Sequence, residues 1–177
     1  MEMYEPREDS FLLQKEVSKY AIGDVLDMCT GSGIIAKEAA KTADQVVGLD
    51  INPKCIEYCE KQIKDNNVTF LVSDLFEVFK DKNYKFDLIT INPPYLPDEP
   101  KAKDIALDGG KQGYEFIEKF IKQAKHYLKE DGKILLLFSS LTQKDKVDEI
   151  IKKNNFKHKQ ISSLKLDFEE LFVYLLK

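Results

Sequence analysis

The sequence has few of the residues that build disulfide frameworks or zinc sites. Cysteine occurs three times and histidine twice in 177 residues. An odd cysteine count argues against a disulfide framework and favours a reducing compartment. Cys55 and Cys59 lie one helical turn apart, but no further cysteine or histidine stands near them to complete a zinc site. The sequence therefore predicts no metal centre and a cytosolic protein.

Long apolar runs and an excess of positive charge are also missing. No hydrophobic stretch approaches the roughly 20 residues that span a bilayer. The acidic opening over residues 2–9 is unlike a signal or transit peptide. Lysine and arginine number 27 against 31 aspartate and glutamate, a net charge of −4. Binding to nucleic acid through phosphates needs a basic face, so the composition disfavours nucleic-acid partners. The missing apolar run likewise disfavours a membrane protein.

Short apolar runs alternate with longer helical stretches. The runs predicted as strands cover residues 24–28, 45–49, 68–73, 86–91 and 133–138. The predicted helices cover residues 9–20, 34 to about 41, 53 to about 66, 114–128 and 142–153, with a turn at 130–132 before the fifth strand. This alternation is typical of an α/β sandwich with a mostly parallel sheet.

The remaining segments complete the predicted organisation. Residues 156–164 and 168–176 are expected to form a closing antiparallel pair. Residues 96–113 are rich in Pro, Asp, Lys and Gly and predict a long loop, which in a compact domain is usually functional. With no repeat or linker, the length predicts a single domain over residues 1–177, on which residues 1–20 pack as an N-terminal helical segment.

In such a sheet the ligand crevice lies beyond the carboxyl ends of the strands. The first strand runs into Asp27-Met28-Cys29-Thr30-Gly31-Ser32-Gly33, whose glycines allow close approach of the backbone to a ligand. A tight strand-to-helix turn explains them equally well. The absence of Gly-Lys-Ser/Thr disfavours nucleoside triphosphates. Ala36 replaces the third glycine of the dinucleotide fingerprint, which leaves a dinucleotide as an alternative.

Two further strands also end in an acidic residue. Asp50 follows the second strand, about 20 residues after the glycine loop, and suits the two hydroxyls of a ribose. Asp74 follows the third strand and can accept a hydrogen bond from an exocyclic amine such as that of adenine. Either residue could instead cap the helix or turn that follows it, and for Asp74 taken alone the cap is the favoured interpretation.

The fourth strand runs into Asn92-Pro93-Pro94-Tyr95, the most informative tetrapeptide in the chain. Two prolines fix φ and remove two amide donors. The Asn92 side-chain oxygen and the Pro93 carbonyl can accept the two N–H bonds of a flat NH2 group, and Tyr95 can stack on its plane. A structural Pro-Pro turn is the alternative. It is disfavoured because the tetrapeptide follows a buried strand in a series of strands that end in aspartate.

In their order and spacing, residues 27–33, Asp50, Asp74 and the 92–95 tetrapeptide resemble class I S-adenosylmethionine-dependent methyltransferases. More narrowly, they resemble the HemK/PrmC group. That group methylates the glutamine side-chain nitrogen of a Gly-Gly-Gln motif in translation release factors. The resemblance therefore implies an S-adenosylmethionine-dependent N-methyltransferase whose substrate is a translation release factor.

Two more segments resemble the short archaeal and eukaryotic branch of this group. Residues 4–13 read Tyr-Glu-Pro-Arg-Glu-Asp-Ser-Phe-Leu-Leu, and residues 107–113 read Leu-Asp-Gly-Gly-Lys-Gln-Gly. The resemblance covers nearly the whole chain. It implies a Rossmann-like three-layer sandwich with a seven-stranded, mostly parallel sheet whose last strand is antiparallel.

The resemblance also implies roles for single residues. Asp27, Cys29 and Gly31 would line the methionine part of the cofactor. Asp50 would hold its ribose, and Asp74 with Leu75 its adenine. The implied cofactor set is completed by Ser10, Gly33, Ile51 and Asn92. The implied catalytic residues are Asn92, Pro93, Pro94 and Tyr95.

Cys29 departs from the group, many members of which have glycine there. A left-handed backbone would cost a cysteine about 1 kcal/mol or more. We therefore expect an ordinary backbone at Cys29, with glycine required only at Gly31 and Gly33.

Two alternative functions remain open at this point. The same tetrapeptide serves enzymes that methylate adenine N6 or cytosine N4 in DNA or RNA, whose amines are also attached to flat rings. The acidic net charge and the lack of a DNA-reading domain argue against this alternative. A cofactor-binding scaffold without activity is the second alternative, and the intact 92–95 tetrapeptide argues against it.

The short branch commonly works with a small zinc-binding activator subunit. The strand order of the group would place the third strand at an edge of the sheet, with four apolar residues: Val68, Phe70, Leu71 and Val72. An exposed apolar edge invites an added strand. A loop or helix of the same chain that covers this edge is an equal alternative.

Overall fold

The computed structural model describes residues 3–98 and 106–177. Its seven strands are β1 (Asp24–Met28), β2 (Gln45–Asp50), β3 (Val68–Val72), β4 (Phe86–Ile91), β5 (Leu128–Ser139), β6 (His158–Lys165) and β7 (Glu170–Leu176). The α-helices in these ranges are α1 (Glu8–Tyr20), α2 (Ile34–Ala39), α3 (Pro53–Gln62), α4 (Glu115–Ala124) and α5 (Lys144–Lys153). None of these helices is long and apolar enough to cross a membrane.

The strands form one sheet in the order β3-β2-β1-β4-β5-β7-β6. Neighbouring strands from β3 to β5 are parallel, whereas β7 runs antiparallel to both β5 and β6. The predicted α/β fold, its seven strands and its antiparallel last strand are confirmed. The order reverses between β1 and β4, which is the kind of position where open α/β sheets bind ligands.

Side chains alternate between the two faces of the sheet, and helices cover both faces. In β5, Ile134 and Leu136 pack with side chains of α4 and α5. Leu135 and Leu137 point the other way and pack with side chains of α1, α2 and α3. All four are fully buried. Burial on both faces explains why residues 134–138 of this strand form an unbroken apolar run.

Helix α1 lies against α2. It buries Leu13 and Val17 in the cluster on that face of the sheet. Its first turn carries Asp9 and Ser10, both of them buried polar residues. The apolar contacts of the helix therefore bring two polar side chains to the carboxyl ends of the central strands.

Two predicted helices end earlier than expected. Helix α3 ends at Gln62 rather than near residue 66, because Ile63 adopts an extended backbone and buries its side chain in the core. Helix α4 ends at Ala124 rather than at residue 128, and a 3₁₀ turn over Lys125–Tyr127 leads into β5. In both places the residues after the helix already belong to the connection that leads to the next strand.

The turn predicted at residues 130–132 is wrong, because these residues lie inside β5. The pairing of β5 with β4 shifts register here, between Phe86 and Leu88. A Cβ atom at Gly132 would lie 2.8 Å from the carbonyl oxygen of Phe86, so glycine permits the close approach of the two strands. The turn residues therefore form a strand irregularity instead of a chain reversal.

The loop predicted over residues 96–113 is described at its two ends, and residues 99–105 lie outside the described residues. The two ends are hydrogen-bonded to each other. The Leu96 amide donates to the Leu107 carbonyl at 3.0 Å, and the Gly109 amide donates to the Leu96 carbonyl at 2.8 Å. The second half of the loop therefore returns to the segment that follows β4.

Strand β3 lies at one edge of the sheet and pairs with β2. The edge position that the resemblance implies is confirmed. Phe70 is buried beneath the edge, whereas Val72 is 50% exposed. In the parts of the chain that the structure describes, no strand pairs with the outer side of β3.

Gly33 and Gly31 form a matched pair for a stability test. Both have left-handed backbones, with φ of 76° and 53°. A Cβ atom at Gly33 would lie 2.5 Å from Ile63 Cδ1 and 2.9 Å from Cys59 Sγ, whereas at Gly31 the nearest atom is 4.0 Å away. We predict that Gly31→Ala loses about 1–2 kcal/mol of unfolding free energy. Gly33→Ala loses about 1–3 kcal/mol more because it overpacks the core.

Urea denaturation of the two variants beside the unmodified protein measures this difference. Equal losses in the two variants would contradict the packing role assigned to Gly33.

Candidate functional site

A cleft of about 170 Å³ opens at the carboxyl ends of the central strands, at the switch in strand order. Its lining includes most of the predicted site residues: Ser10, Asp27, Cys29, Gly31, Asp50, Ile51, Asp74, Leu75, Asn92, Pro93, Pro94 and Tyr95. Gly33 lies behind the loop, against Ile63 and Cys59. The structure thus gives Gly33 a packing role, and its contact with a cofactor stays a prediction.

Asp27 holds the loop that follows β1. Its side chain is 1% exposed. One carboxylate oxygen accepts hydrogen bonds from Thr30 Oγ1 at 2.6 Å and from the Ala36 amide at 3.1 Å. The other accepts from Thr90 Oγ1 at 2.9 Å. Burial outweighs these bonds and raises the pKa of Asp27 to about 6. The carboxylate therefore joins β1, β4 and α2 at the floor of the cleft.

The expectation of an ordinary backbone at Cys29 is wrong. Its φ is 60°, in the left-handed region that costs a non-glycine residue about 1–2 kcal/mol. The turn at Cys29 brings the Thr30 amide to the Leu49 carbonyl at 2.8 Å and the Thr30 hydroxyl to Asp27. These two bonds of the next residue hold Cys29 in its strained conformation, as is common beside functional clefts.

The thiol of Cys29 is not prepared for nucleophilic attack. Burial, followed by the negative charges of Asp50, Asp27 and Asp74, raises its pKa well above the ordinary value. A protonated thiol is a weak nucleophile. Among the described residues, no group of three or more histidine, cysteine, aspartate or glutamate side chains is placed to hold a metal ion.

Asp50 reaches across the mouth of the glycine loop. Its Oδ2 accepts from the Gly31 amide at 2.9 Å and its Oδ1 from the Asn52 amide at 2.8 Å. The N-cap of α3 is Asn52, whose side chain accepts from the Lys54 amide. The alternative role of Asp50 as the helix cap is therefore not adopted. Burial raises the pKa of Asp50, and the predicted contact with a ribose remains a prediction.

Asp74 and Leu75 follow β3 at the far end of the cleft. Both carboxylate oxygens of Asp74 accept from Lys119 Nζ on α4, at 3.1 and 3.0 Å. Leu75 has a left-handed backbone with φ of 48°. Ser73 supports this conformation, because its hydroxyl donates to the Leu75 carbonyl at 2.9 Å and accepts from the Val78 amide at 3.1 Å.

The carboxamide of Asn92 is hydrogen-bonded on one side only. Its Nδ2 donates to Asp9 Oδ2 at 2.9 Å. Its Oδ1 is buried and has no hydrogen-bond partner among the described residues. A buried acceptor without a donor costs about 1–3 kcal/mol. The lining of the cleft thus contains one oxygen that lacks the donor it requires.

Tyr95 is fixed through its main chain. Its carbonyl accepts from Thr142 Oγ1 at 3.0 Å. Gly109 lies against the same segment, and a Cβ atom there would lie 2.8 Å from the Pro94 oxygen and 2.9 Å from Tyr95 Cα. Residues 107–113, which carried part of the resemblance, thus pack directly on the 92–95 tetrapeptide.

Asp9 is a site residue that sequence reasoning missed. It is 4% exposed and lies in the first turn of α1. In the sequence it belongs to a run of acidic residues at a helix start, where a carboxylate usually has only a favourable interaction with the helix dipole. Its hydrogen bonds with Tyr4, Ser10 and Asn92 depend on how α1 docks. The sequence did contain one indication of this position, because the neighbouring Ser10 was itself a predicted cofactor contact at the start of a helix expected to pack on the core.

The chain is similar in sequence to known methyltransferases. A family model described as the methyltransferase small domain matches residues 8–163. The chain is 41% identical over 180 residues to a protein of Methanocaldococcus jannaschii provisionally named a protein N5-glutamine methyltransferase. The alignment covers 97% of this chain and 90% of that protein.

Bacterial relatives are longer. The chain is 40% identical over 127 residues to the release factor glutamine methyltransferase of Thermodesulfovibrio yellowstonii, which covers 63% of this chain and 45% of that protein. It is 34% identical over 164 residues to the enzyme of the same name from Fusobacterium nucleatum. That alignment covers 84% of this chain and 45% of the Fusobacterium protein. The chain thus spans about half the length of these two bacterial relatives.

Solved structures share the fold. The Mtq2–Trm112 complex of E. cuniculi, described as responsible for methylation of the eRF1 translation termination factor, contains a chain with a TM-score of 0.81 and 23% identity. The match covers 100% of this chain and 99% of that one. The ribosomal protein L11 methylase of Lactobacillus delbrueckii subsp. bulgaricus has a TM-score of 0.69 and 22% identity. That match covers 97% of this chain and 80% of the methylase chain. At these identities the likeness concerns the fold alone.

The raised pKa of Asp27 predicts a dependence of stability on pH. The folded protein keeps the Asp27 proton up to about pH 6, whereas the unfolded chain loses it near pH 4. Between these values the native state binds more protons, so the free energy of unfolding falls as pH rises. Asp27→Asn removes this loss. We predict that the variant gains stability relative to the unmodified protein between pH 4 and 7, on the order of 3 kcal/mol.

Urea denaturation at several pH values measures this relative gain. Asp87→Asn is the matched control. Burial opposes the change, but hydrogen bonds from Lys129 and the Asp24 amide lower the pKa of Asp87. That variant should lose relative stability only as pH rises toward the ordinary pKa of aspartate, near 4, and should stay level between about pH 5 and 7. A constant difference between Asp27→Asn and the unmodified protein would contradict the account of Asp27.

Proposed function

Because the chain belongs to the methyltransferase small domain family, we propose that it methylates the side-chain amide nitrogen of a glutamine in a translation release factor. S-adenosylmethionine is the methyl donor of this family. The observation that carries the proposal is the buried Asn92 Oδ1, which lacks a donor in the described part of the chain. An NH2 group of the substrate would supply that donor.

The charge of the cleft and the open space at its glycine loop support this donor. S-adenosylmethionine supplies a methyl group from a positively charged sulfonium. The lining of the cleft includes the carboxylates of Asp27, Asp50 and Asp74. The loop at Gly31 leaves open space where a Cβ atom would otherwise stand. We assign the methionine part to Asp27, Cys29 and Gly31, as the resemblance implies.

The remainder of the cofactor is assigned to the other strand ends. We place the ribose at Asp50 beside Ile51, and the adenine at Asp74 with Leu75. The ion pair of Asp74 with Lys119 is half exposed, so it is weak enough for one Asp74 oxygen to exchange Lys119 for an adenine amine. Ser10, in the first turn of α1, completes the lining beside Asn92.

The 92–95 tetrapeptide would hold the acceptor nitrogen. Asn92 Oδ1 accepts one N–H of the substrate amide, and the Pro93 carbonyl accepts the other. The Tyr95 ring packs on the flat amide and limits its rotation. Two fixed acceptors define the direction of the nitrogen, so that it meets the methyl–sulfur bond in line at near-attack distance.

An amide nitrogen is a weak nucleophile because its lone pair is delocalised into the carbonyl. The two hydrogen bonds favour the pyramidal form, in which the lone pair is available. As the carbon–nitrogen bond forms and the carbon–sulfur bond breaks, positive charge develops on nitrogen. The accepting oxygens then bind more strongly than in the ground state, which is the condition for catalysis. One proton leaves the nitrogen to solvent, and no base is required before attack.

The identity of the relatives supports glutamine as the acceptor. Relatives at 34–41% identity carry names that specify glutamine methylation. The net charge of −4 gives no support to a nucleic-acid substrate. The reaction would take place in the cytosol, where translation release factors act, with residues 1–177 as a single catalytic domain.

The test is transfer of a tritiated methyl group to three acceptors: a release factor, its Gln→Ala variant in the Gly-Gly-Gln motif, and DNA. We expect label on the first alone. Asn92→Ala should lower turnover on the release factor on the order of 10²-fold or more, by comparison with single donors of oxyanion holes. Its affinity for S-adenosylmethionine should change much less.

Asn154→Ala, which changes an asparagine at the end of α5, is the control and should leave turnover unchanged. Label on the Gln→Ala factor or on DNA would contradict the proposed acceptor. Near-normal turnover of Asn92→Ala would contradict the role of the carboxamide.

We also propose that the β3 edge receives a strand from a small activator subunit, which the resemblance predicts to bind zinc. The proposal is supported by three features of this edge. β3 pairs with β2 on one side, Val72 is half exposed, and exposed Ile51 follows β2 beside it. The neighbouring fold in the Mtq2–Trm112 complex also belongs to a two-protein assembly.

Charge on the edge strand tests this proposal, because a lysine blocks the addition of a further strand. We predict that Val72→Lys abolishes co-purification with the activator while the variant stays folded. Leu164→Lys places the same charge on β6, the opposite edge, where Leu164 is 37% exposed. That variant should still co-purify. Retained binding by Val72→Lys, or loss by both variants, would place the contact elsewhere.

A further inference from the structure

Asp9 is a buried carboxylate whose hydrogen bonds converge on the candidate site. Its Oδ2 accepts from Asn92 Nδ2 at 2.9 Å, from the Tyr4 hydroxyl at 3.1 Å and from the Tyr95 hydroxyl at 3.4 Å. Its Oδ1 accepts from the Ser10 amide at 2.6 Å and the Ser10 hydroxyl at 3.2 Å. Within residues 3–98 and 106–177, no lysine, arginine or histidine forms an ion pair with it.

The contact with Asp9 decides which way the Asn92 carboxamide points. An ionised carboxylate can only accept hydrogen bonds, and a carboxamide carries an acceptor on one side and a donor on the other. With Nδ2 toward Asp9, Oδ1 has to face away from Asp9. A rotation of Asn92 by half a turn would place Oδ1 against the carboxylate and present an N–H where a substrate N–H is expected. That orientation would repel the substrate.

The two tyrosines keep the carboxylate in place. Burial, followed by the charge of Asp9, raises the pKa of both Tyr4 and Tyr95. Their hydroxyls therefore stay protonated and donate to Asp9 at neutral pH. The Asp9 carboxylate has no freedom to turn away from Asn92, because Ser10 and the tyrosines occupy its other acceptor positions.

We propose that Asp9 is a positioning residue of methyl transfer, which fixes the Asn92 carboxamide so that its oxygen receives the acceptor nitrogen. The inference rests on the proposed function, in which Asn92 Oδ1 accepts from the substrate. It adds a second effect. A negative charge bonded to Nδ2 polarises the carboxamide and makes Oδ1 a better acceptor, which matters most when the substrate nitrogen becomes positive.

The first test does not depend on any substrate. In the ¹⁵N-labelled free protein, the Asn92 side-chain NH2 should give two well-separated proton signals, one of them shifted downfield by the carboxylate. Asp9→Ala should remove the downfield shift, while the two signals stay separate because rotation about the amide C–N bond is slow. Glu16→Gln is the matched control, because Glu16 is another buried acid of α1, paired with Lys19. It should leave the Asn92 signals unchanged. Unchanged signals in Asp9→Ala would overturn the proposal.

The second test is kinetic, with the release factor as acceptor. Asp9→Ala should lower kcat on the order of 10²-fold, as for loss of one oriented group, with KM and cofactor affinity within about twofold. Asp9→Asn can still accept from Asn92 Nδ2 and should recover part of the turnover. Glu16→Gln should retain full turnover. A purely structural role would instead lower stability and cofactor affinity together with kcat.

The two tests distinguish failure of the proposed function from failure of the role proposed for Asp9. If the unmodified protein does not label glutamine, the proposed function fails, and the NMR signals alone decide whether Asp9 orients Asn92. If Asp9→Ala is poorly folded, Asp9→Asn provides both measurements. If Asn92 is released in the variant but kcat is unchanged, Asp9 has no part in catalysis and the inference is wrong.

Discussion

The buried carboxylate of Asp27 holds the central part of the structure in one arrangement. It bonds Thr90 in β4, Thr30 in the glycine loop and the first turn of α2 at Ala36. Thr30 and Ala36 follow Asp27 closely in the sequence, whereas Thr90 lies 63 residues away and meets it at the switch between β1 and β4. Its charge is costly to bury, as the raised pKa indicates. The three hydrogen bonds to this carboxylate offset part of that cost, and they fix the three donors around the cleft.

Strained backbone and an unmet hydrogen bond both occur in the lining of the cleft. Cys29 and Leu75 have left-handed backbones without being glycine, and both line the cleft. The buried oxygen of Asn92 lacks a donor among the described residues. Each feature costs free energy in the free protein, and the surrounding bonds of Thr30, Ser73 and Asp9 maintain it. A ligand that supplies an N–H to Asn92 would relieve the last of these costs.

Much of the fold could be predicted from the sequence, because apolar runs bounded by glycine, aspartate and proline mark the strands. The position of the cleft followed from the parallel sheet, and its lining contains most of the predicted residues. The register irregularity at Gly132 could not be predicted, because a turn and a strand irregularity share the same residues. The single domain and the cytosolic location stay predictions.

The errors at the site have one physical origin, which is that they depend on contacts between distant segments. The backbone of Cys29 is set by the bond of Thr30 to Leu49 on the neighbouring strand. The role of Asp9 is set by the docking of α1, which brings it 2.9 Å from a side chain 83 positions away. Neither contact can be predicted from the residues that lie next to Cys29 or Asp9 in the sequence.

The proposed reaction requires the Asn92 oxygen to receive an N–H of a flat NH2 group in this cleft. A crystal structure with S-adenosylhomocysteine and a glutamine peptide would show whether it does. We expect the cofactor product along Asp27, Asp50 and Asp74, and the glutamine nitrogen about 3 Å from both Asn92 Oδ1 and the Pro93 oxygen. Product bound elsewhere, or a glutamine that turns its oxygen toward Asn92, would contradict it.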